Sequence, residues 1–96
     1  MRPSEKLNAH REAIRAIVAA HRGANPRVFG SVARGEDTED SDIDILVDSE
    51  GRMTLFDIGG IQFGLSQLLG VRVDVLTENG LPDKFRRRVL AEALPI

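Results

Sequence analysis

Apolar residues recur near the start of the chain at Leu7, Ile14, Ile17 and Val18, with Ser4 ahead of them as a helix-start residue and Gly23 behind them as a stop. This spacing predicts one amphipathic helix over 5–22. Asn25-Pro26 is a turn signal, and Arg27-Val28-Phe29 reads as a short strand ending at Gly30. Ser31 to Arg34 can form a single helical turn closed by Gly35, and Glu36 to Ser41 is a polar loop. Ile43 to Asp48 alternates and is rich in β-branched residues, which predicts a strand. Leu55, Ile58, Gln62, Leu65 and Leu69 give a second helical stripe, ending at Gly70. Gly59, Gly60 and Gly64 lie inside it, each costing roughly 1 kcal/mol against alanine, so a regular helix is expected there only where close packing requires small residues. Val71 to Thr77 is a third strand, Asn79-Gly80 a turn, and Pro82 opens a last helix running to Ala93. This order of elements predicts an α/β (α+β) fold with a small sheet.

Length and composition narrow the class. Ninety-six residues suit one domain, 1–96, with one modest core. No repeat, linker or low-complexity stretch divides the chain. It has no cysteine, so disulfides, thiolate metal sites and a cysteine nucleophile are excluded. No apolar run approaches the roughly 18–20 residues of a membrane span, and the first fifteen residues lack the apolar core of a signal peptide. A soluble cytoplasmic domain that does not engage a membrane is expected.

Charge changes the picture more. The net charge is -2, but residues 36–50 hold eight acids and no base. An acidic tail would be terminal and polar; this block is internal and interleaved with Ile43, Ile45, Leu46 and Val47. Strand geometry puts Asp42 and Asp44 on one face and Ile43, Ile45 and Val47 on the other. The third strand repeats the design, with Val71, Val73 and Val75 on one face and Arg72 and Asp74 on the other. If the two strands are neighbours with their apolar faces together, Asp74 joins Asp42 and Asp44. Three carboxylates on one face repel unless a counter-charge is supplied, and a hard divalent cation with oxygen ligands supplies it. Two such ions, about 3.5–4 Å apart, can hold the attacking and leaving oxygens of a phosphoryl displacement.

Gly30-Ser31 precedes these acids by a short loop. Glycine after a strand lets backbone approach a phosphate closely. The N–H groups of the following turn, with the Ser31 hydroxyl, can cradle a triphosphate. Arg34 can add a cation or pair with the acidic loop. Each piece alone has a plain reading: a strand-turn Gly-Ser is common, and Asp-x-Asp is most often a solvated strand face. A calcium-binding EF-hand loop does not fit, because its sixth and twelfth positions would be Ile45 and Gly51 instead of Gly and Glu. The joint arrangement of Gly-Ser, ten intervening residues, Asp-x-Asp and a later strand with a lone Asp favours nucleotide chemistry.

That arrangement resembles the nucleotidyltransferase signature of the DNA polymerase beta-like superfamily. The strings GSVARG and SDIDILVD, the strand VDVLT and the closing LPDKFRRRVLAEALPI resemble the minimal nucleotidyltransferases, the MntA-type antitoxins paired with HEPN-domain toxins of the HepT type. The resemblance implies a polymerase-beta-like fold, with a small mixed β-sheet and helices packed on one face. It also implies Mg²⁺, two ions by the two-metal scheme, and ATP as substrate. The implied acceptor is a tyrosine hydroxyl of the partner toxin, which is adenylylated and silenced. By this match Gly30 and Ser31 hold the triphosphate, Asp42 and Asp44 bind the metals, and Asp74 is the third carboxylate and a base for the incoming hydroxyl. Arg34 stands beside them as a nucleotide-binding candidate from the spacing alone.

The remaining residues have plainer readings. His10 and His21 lie eleven apart, too far for a helical metal pair, and read as surface or boundary histidines. Arg86-Arg87-Arg88 is a basic run on the last helix with one neighbouring aromatic, Phe85, which argues against direct nucleic-acid binding by base stacking. Two rival functions remain: transfer to a small-molecule acceptor, and a non-catalytic antitoxin that acts by binding alone. Little chain follows Asp74 in which to build a small-molecule acceptor pocket, which favours a protein partner.

Overall fold

The computed structural model describes residues 1–96, and the expected α/β class is what it shows. Its elements are α1 (Pro3–Ala9), α2 (Arg11–Ala20), β1 (Gly23–Phe29), β2 (Ile43–Ser49), α3 (Leu55–Leu69), β3 (Val73–Thr77), a 3-10 turn (Glu78–Gly80), α4 (Asp83–Glu92) and β4 (Leu94–Pro95). The four strands form one mixed sheet in the order β3-β2-β1-β4. β1 runs antiparallel to both β2 and β4, while β2 and β3 are parallel. A parallel pair needs a crossover, and α3 provides it.

The expected single helix over 5–22 is two helices that break at His10. Between Leu7 and Ile14 the sequence holds no large apolar residue to continue the buried stripe. At the break the His10 ring Nδ1 lies 2.9 Å from the Lys6 carbonyl oxygen, a local bond that competes with helix continuation. Ser4 is not the cap; it sits inside the first turn, and its N–H donates to Asp37 at 2.9 Å. β1 is longer than expected, because Asn25-Pro26 forms an irregularity within the strand, with Asn25 at φ 48°. Its partner β4, Leu94–Pro95, is not foreseen from sequence. It is held by two arginines of α2: Arg11 donates to the Pro95 carbonyl at 3.2 Å and Arg15 to that of Ile96 at 2.7 Å.

α1, α2 and α3 bury their apolar stripes on one sheet face. Leu7, Ile14, Val18, Ile61 and Leu65 meet Ile43, Ile45, Val47, Val73 and Val75 there. Two glycines of α3 admit α2 at close range. A Cβ on Gly60 would lie 2.7 Å from the His21 ring Nε2, and one on Gly64 3.1 Å from Ile17. α3 starts at a Thr54–Asp57 capping box, in which each residue's side chain accepts the other's backbone N–H. Its outer side leaves Leu55, Phe56 and Phe63 exposed.

On the opposite face a smaller cluster of Phe29, Leu46 and Leu81 packs against Val89, Leu90 and Ala93, so α4 covers the part of this face beside the end of β1. The rest of that face carries the carboxylates. No helix is long and apolar enough to cross a membrane.

Candidate active site

Sheet register, more than loop geometry, assembles the acidic side chains. In the β2–β3 pairing Ile43 faces Val73, Asp44 faces Asp74 and Ile45 faces Val75. The valines and isoleucines turn into the core, so Asp44 and Asp74 emerge side by side on the other face. Asp42, two residues before Asp44, shares that side. The Arg72 guanidinium bridges the outer pair, with its Nε 3.5 Å from Asp74 and 4.0 Å from Asp42. The Arg72 side chain is 74% exposed, so this counter-charge is held loosely.

Asp44 and Asp74 are partly enclosed, while Asp42 is exposed. The Asp44 carboxyl is pushed above the usual carboxylate range, first by burial and then by the neighbouring charges of Asp74 and Asp42. Arg34 opposes that shift, and Glu92 adds to it.

Gly30 closes β1 directly beside Asp44. Its φ is +74°, and a Cβ there would run into the Asp44 carboxylate oxygen. Glycine is thus required twice, for the left-handed backbone and for the close approach. After it the chain makes a turn in which the N–H of Arg34 bonds to the Gly30 carbonyl, that of Gly35 to Val32 and that of Glu36 to Ser31. The N–H groups of Ser31, Val32 and Ala33 have no backbone acceptor within the chain. Three successive N–H groups in the turn that starts beside Asp44 are thus left without a partner in the chain, donors of the kind that anions take up.

Arg34 is engaged by two acids. It pairs with Glu36 of the acidic loop and, at 3.2 Å, with Glu92 of α4. These hydrogen bonds hold its guanidinium still further above its ordinary value. Glu92 also accepts the Gly30 N–H at 2.8 Å. A shallow groove of 230 Å³ opens here between Gly30 and α4, with Arg34, Phe85, Arg88 and Glu92 among its walls. The largest hollow, 390 Å³ along Asn8–Ala13 at the α1–α2 break, includes none of the carboxylates.

The structure therefore gathers Gly30, Ser31, Asp42, Asp44 and Asp74 in one region and sets Arg34 at its edge, already paired. Sequence reasoning missed Glu92 and the bridging part of Arg72. A signal for Glu92 was present: it is the one acid after Asp83 in a segment of four bases. His10 and His21 take no part, since each Nδ1 sits against a carbonyl oxygen of its own helical segment.

Whether the site suits a divalent cation can be judged from its donors. Three hard oxygen donors share one face, and the half-buried Asp44 carries a charge that its neighbours disfavour, so a cation of charge two would relieve it. The side chains are not drawn into a cluster of three or more metal-binding groups. The exposed Arg72 lies between two of them and would have to swing away. The donor chemistry fits Mg²⁺, with the remaining coordination left to phosphate oxygens and water.

Comparison with known proteins agrees with this geometry. The nucleotidyltransferase domain model matches residues 7–96. A candidate protein adenylyltransferase of Methanocaldococcus jannaschii is 37% identical over 90 residues, covering 94% of this chain and 97% of the relative. The protein adenylyltransferase MntA of Thermococcus cleftensis is 43% identical over 67 residues, covering 70% of this chain and 68% of the relative. Among solved structures, a candidate minimal nucleotidyltransferase superposes with a TM-score of 0.86 at 49% identity, covering 97% of this chain and 95% of that one. A toxin–antitoxin complex crystallised with AMP-PNP gives a TM-score of 0.72 at 17% identity, covering 96% of this chain and 70% of that one, a likeness of fold. The chain belongs to the nucleotidyltransferase domain family. Within that family it is homologous to the MntA-type adenylyltransferases, and its class of activity is nucleotidyl transfer.

Proposed function

We propose that this chain is a single minimal nucleotidyltransferase domain that moves AMP from ATP onto a tyrosine hydroxyl of a HEPN-type toxin, silencing it as an antitoxin. The observation that carries the reading is the in-register pairing of Asp44 with Asp74 beside the free N–H groups that follow Gly30. Relatives named as protein adenylyltransferases support the acceptor class, and the toxin–antitoxin complexes of the same fold support the partner. The chain contains no tyrosine, so its own residues cannot be the tyrosyl acceptor.

In this reading the Ser31 hydroxyl and the N–H groups of Ser31, Val32 and Ala33 receive the triphosphate, and Gly30 lets it approach. Asp42 and Asp44 would hold Mg²⁺, and a second ion would be shared with Asp74. When bound, the metal neutralises phosphate charge and lowers the pKa of the acceptor hydroxyl. The acceptor oxygen forms a bond to the α-phosphorus, the bond from that phosphorus to the bridging oxygen breaks, and pyrophosphate leaves with the electron pair. The proton lost from the hydroxyl passes to the Asp74 carboxylate. Most of the protein's contribution is positioning and fixed charge.

The test is transfer of labelled AMP from ATP to a purified HEPN-type partner, with mapping of the modified residue. Asp42→Asn combined with Asp44→Asn should reduce transfer to background; full activity in that variant would sink the assignment. Protection of cells by the same inactive variant would favour neutralisation by binding alone.

A further inference from the structure

We propose that Glu92 is a positioning residue that clamps the phosphate-binding loop onto α4. Its catalytic meaning rests on the function proposed above.

Glu92 is the last residue of α4, and its carboxylate is mostly buried. One oxygen accepts the Gly30 N–H at 2.8 Å, and both oxygens lie 3.2 Å from the same terminal nitrogen of Arg34. These two contacts grip the loop at its first residue and again four residues later. Ser31, Val32 and Ala33 lie between the grips, and their N–H groups lack backbone acceptors.

Glu92 itself is fixed from the sheet side. Val89, Leu90 and Ala93 pack against Phe29, Leu46 and Leu81. The chain immediately after it pairs with β1, Leu94 opposite Val28 and Pro95 opposite Arg27. The clamp therefore transmits the position of the sheet to a turn that has only three backbone hydrogen bonds of its own. It also keeps Arg34 at the rim, shared with Glu36, and away from the Asp42–Asp74 side where Arg72 lies. Charge-assisted bonds to a mostly buried carboxylate are strong enough for this purpose.

The opposite role is a carboxylate that merely occupies an anion site until a phosphate displaces it. The two roles differ in sign. If Glu92 positions the loop, its loss weakens nucleotide binding; if it competes with phosphate, its loss tightens binding.

The experiment measures amide hydrogen exchange without nucleotide at Arg34, Gly35 and Glu36, the amides hydrogen-bonded within the turn, together with ATP affinity and the KM-against-kcat split of the transfer reaction. Glu92→Ala should speed exchange in the loop and raise KM for ATP about tenfold, as expected for loss of a charge-assisted bond, with a smaller change in kcat. Glu92→Gln keeps an acceptor oxygen for the Gly30 N–H but loses the ion pair with Arg34, and should recover only part of the affinity. Exchange at Ile14, Val18 and Ile45 should stay slow, reporting an intact core. Glu92→Asp, which withdraws the carboxylate by one methylene and keeps its charge, should loosen the loop alone and applies even if the alanine variant unfolds. Tighter ATP binding in Glu92→Ala, or wild-type loop exchange in Glu92→Asp, overturns the proposal. If wild-type protein binds no ATP, the functional reading fails, while loop exchange still decides whether Glu92 is a clamp.

Discussion

Asp44 and Asp74 face each other across two parallel strands, each in register with the other and with an isoleucine–valine pair on either side. The arrangement stores electrostatic repulsion at the centre of the candidate site. Asp44's folded pKa is raised. The stability linked to this group is thus complete below the unfolded carboxylate pKa of about 3.9 and is lost as pH rises through the higher folded value. At neutral pH ionised Asp44 weakens the metal-free fold. Asp44→Asn should therefore raise the melting temperature in EDTA at pH 7 by roughly 2–5 °C, with the gain narrowing toward pH 4, while AMP transfer is lost. Thermal melts across pH beside a labelled-ATP assay check both halves, and a lower melting temperature in the variant would contradict the account of Asp44.

The same repulsion predicts the response to Mg²⁺. Ions bound only by the folded chain stabilise it by about 2.7 kcal/mol at one hundred times their Kd. Mg²⁺ with a non-hydrolysable ATP analogue should raise the wild-type melting temperature and leave an Asp42→Asn, Asp44→Asn variant unchanged. An equal shift in both proteins would place the bound ion elsewhere.

A third expectation concerns Asp37, a buried carboxylate far from the site in function. Burial alone would raise its pKa, but the hydrogen bond from the Ser4 N–H, with the charge of Arg2, outweighs that and holds it below the ordinary value. Its contribution is present above the unfolded pKa and is lost as pH falls through the lower folded value. Asp37→Asn should lower stability at pH 7 by about 1–3 kcal/mol and by progressively less as acid denaturation is approached. Chemical denaturation at several pH values measures this; a penalty independent of pH would mean that the charge is not what matters.

Two adjacent glycines should behave oppositely. Nothing lies within 4 Å of a Cβ at Gly59, whereas one at Gly60 would press on the His21 ring, which is pinned by its Nδ1 at 2.9 Å from the Ile17 carbonyl. Gly59→Ala should stabilise the chain by about 0.5–1 kcal/mol through helix propensity. Gly60→Ala should lose that gain and destabilise by about 1–3 kcal/mol through overpacking. Urea titration of the two variants separates them, and equal effects would refute close packing as the reason for the second glycine.

The positions that strand alternation governs were legible in the sequence. Ile43, Ile45, Val73 and Val75 announce a core face, and alternation then forces Asp42, Asp44 and Asp74 to the other. Adjacency of the two strands was the one added assumption, and the sheet order supports it. Features governed by single hydrogen bonds were not legible. At the break the His10 ring meets the Lys6 carbonyl in one side-chain contact. β4 is two residues long and is defined by arginines eighty and more positions away. Glu92 meets Gly30 across sixty-two positions, and no local pattern encodes that meeting. The glycines of α3 were legible as a conflict with helix propensity, and His21 and Ile17 resolve two of the three.

The parallel pairing of β2 with β3 also constrains how the connecting segment between them can change length. A residue inserted there and absorbed in a loop leaves the pairing intact. One that propagates into β3 inverts it, sending Asp74 into the core and Val73 and Val75 into the site. A two-residue shift restores the faces but carries Asp74 about 6.6 Å along from Asp44. Insertions and deletions in this connector are thus subject to a parity rule that a point substitution never meets, and even the permitted parity separates the two carboxylates.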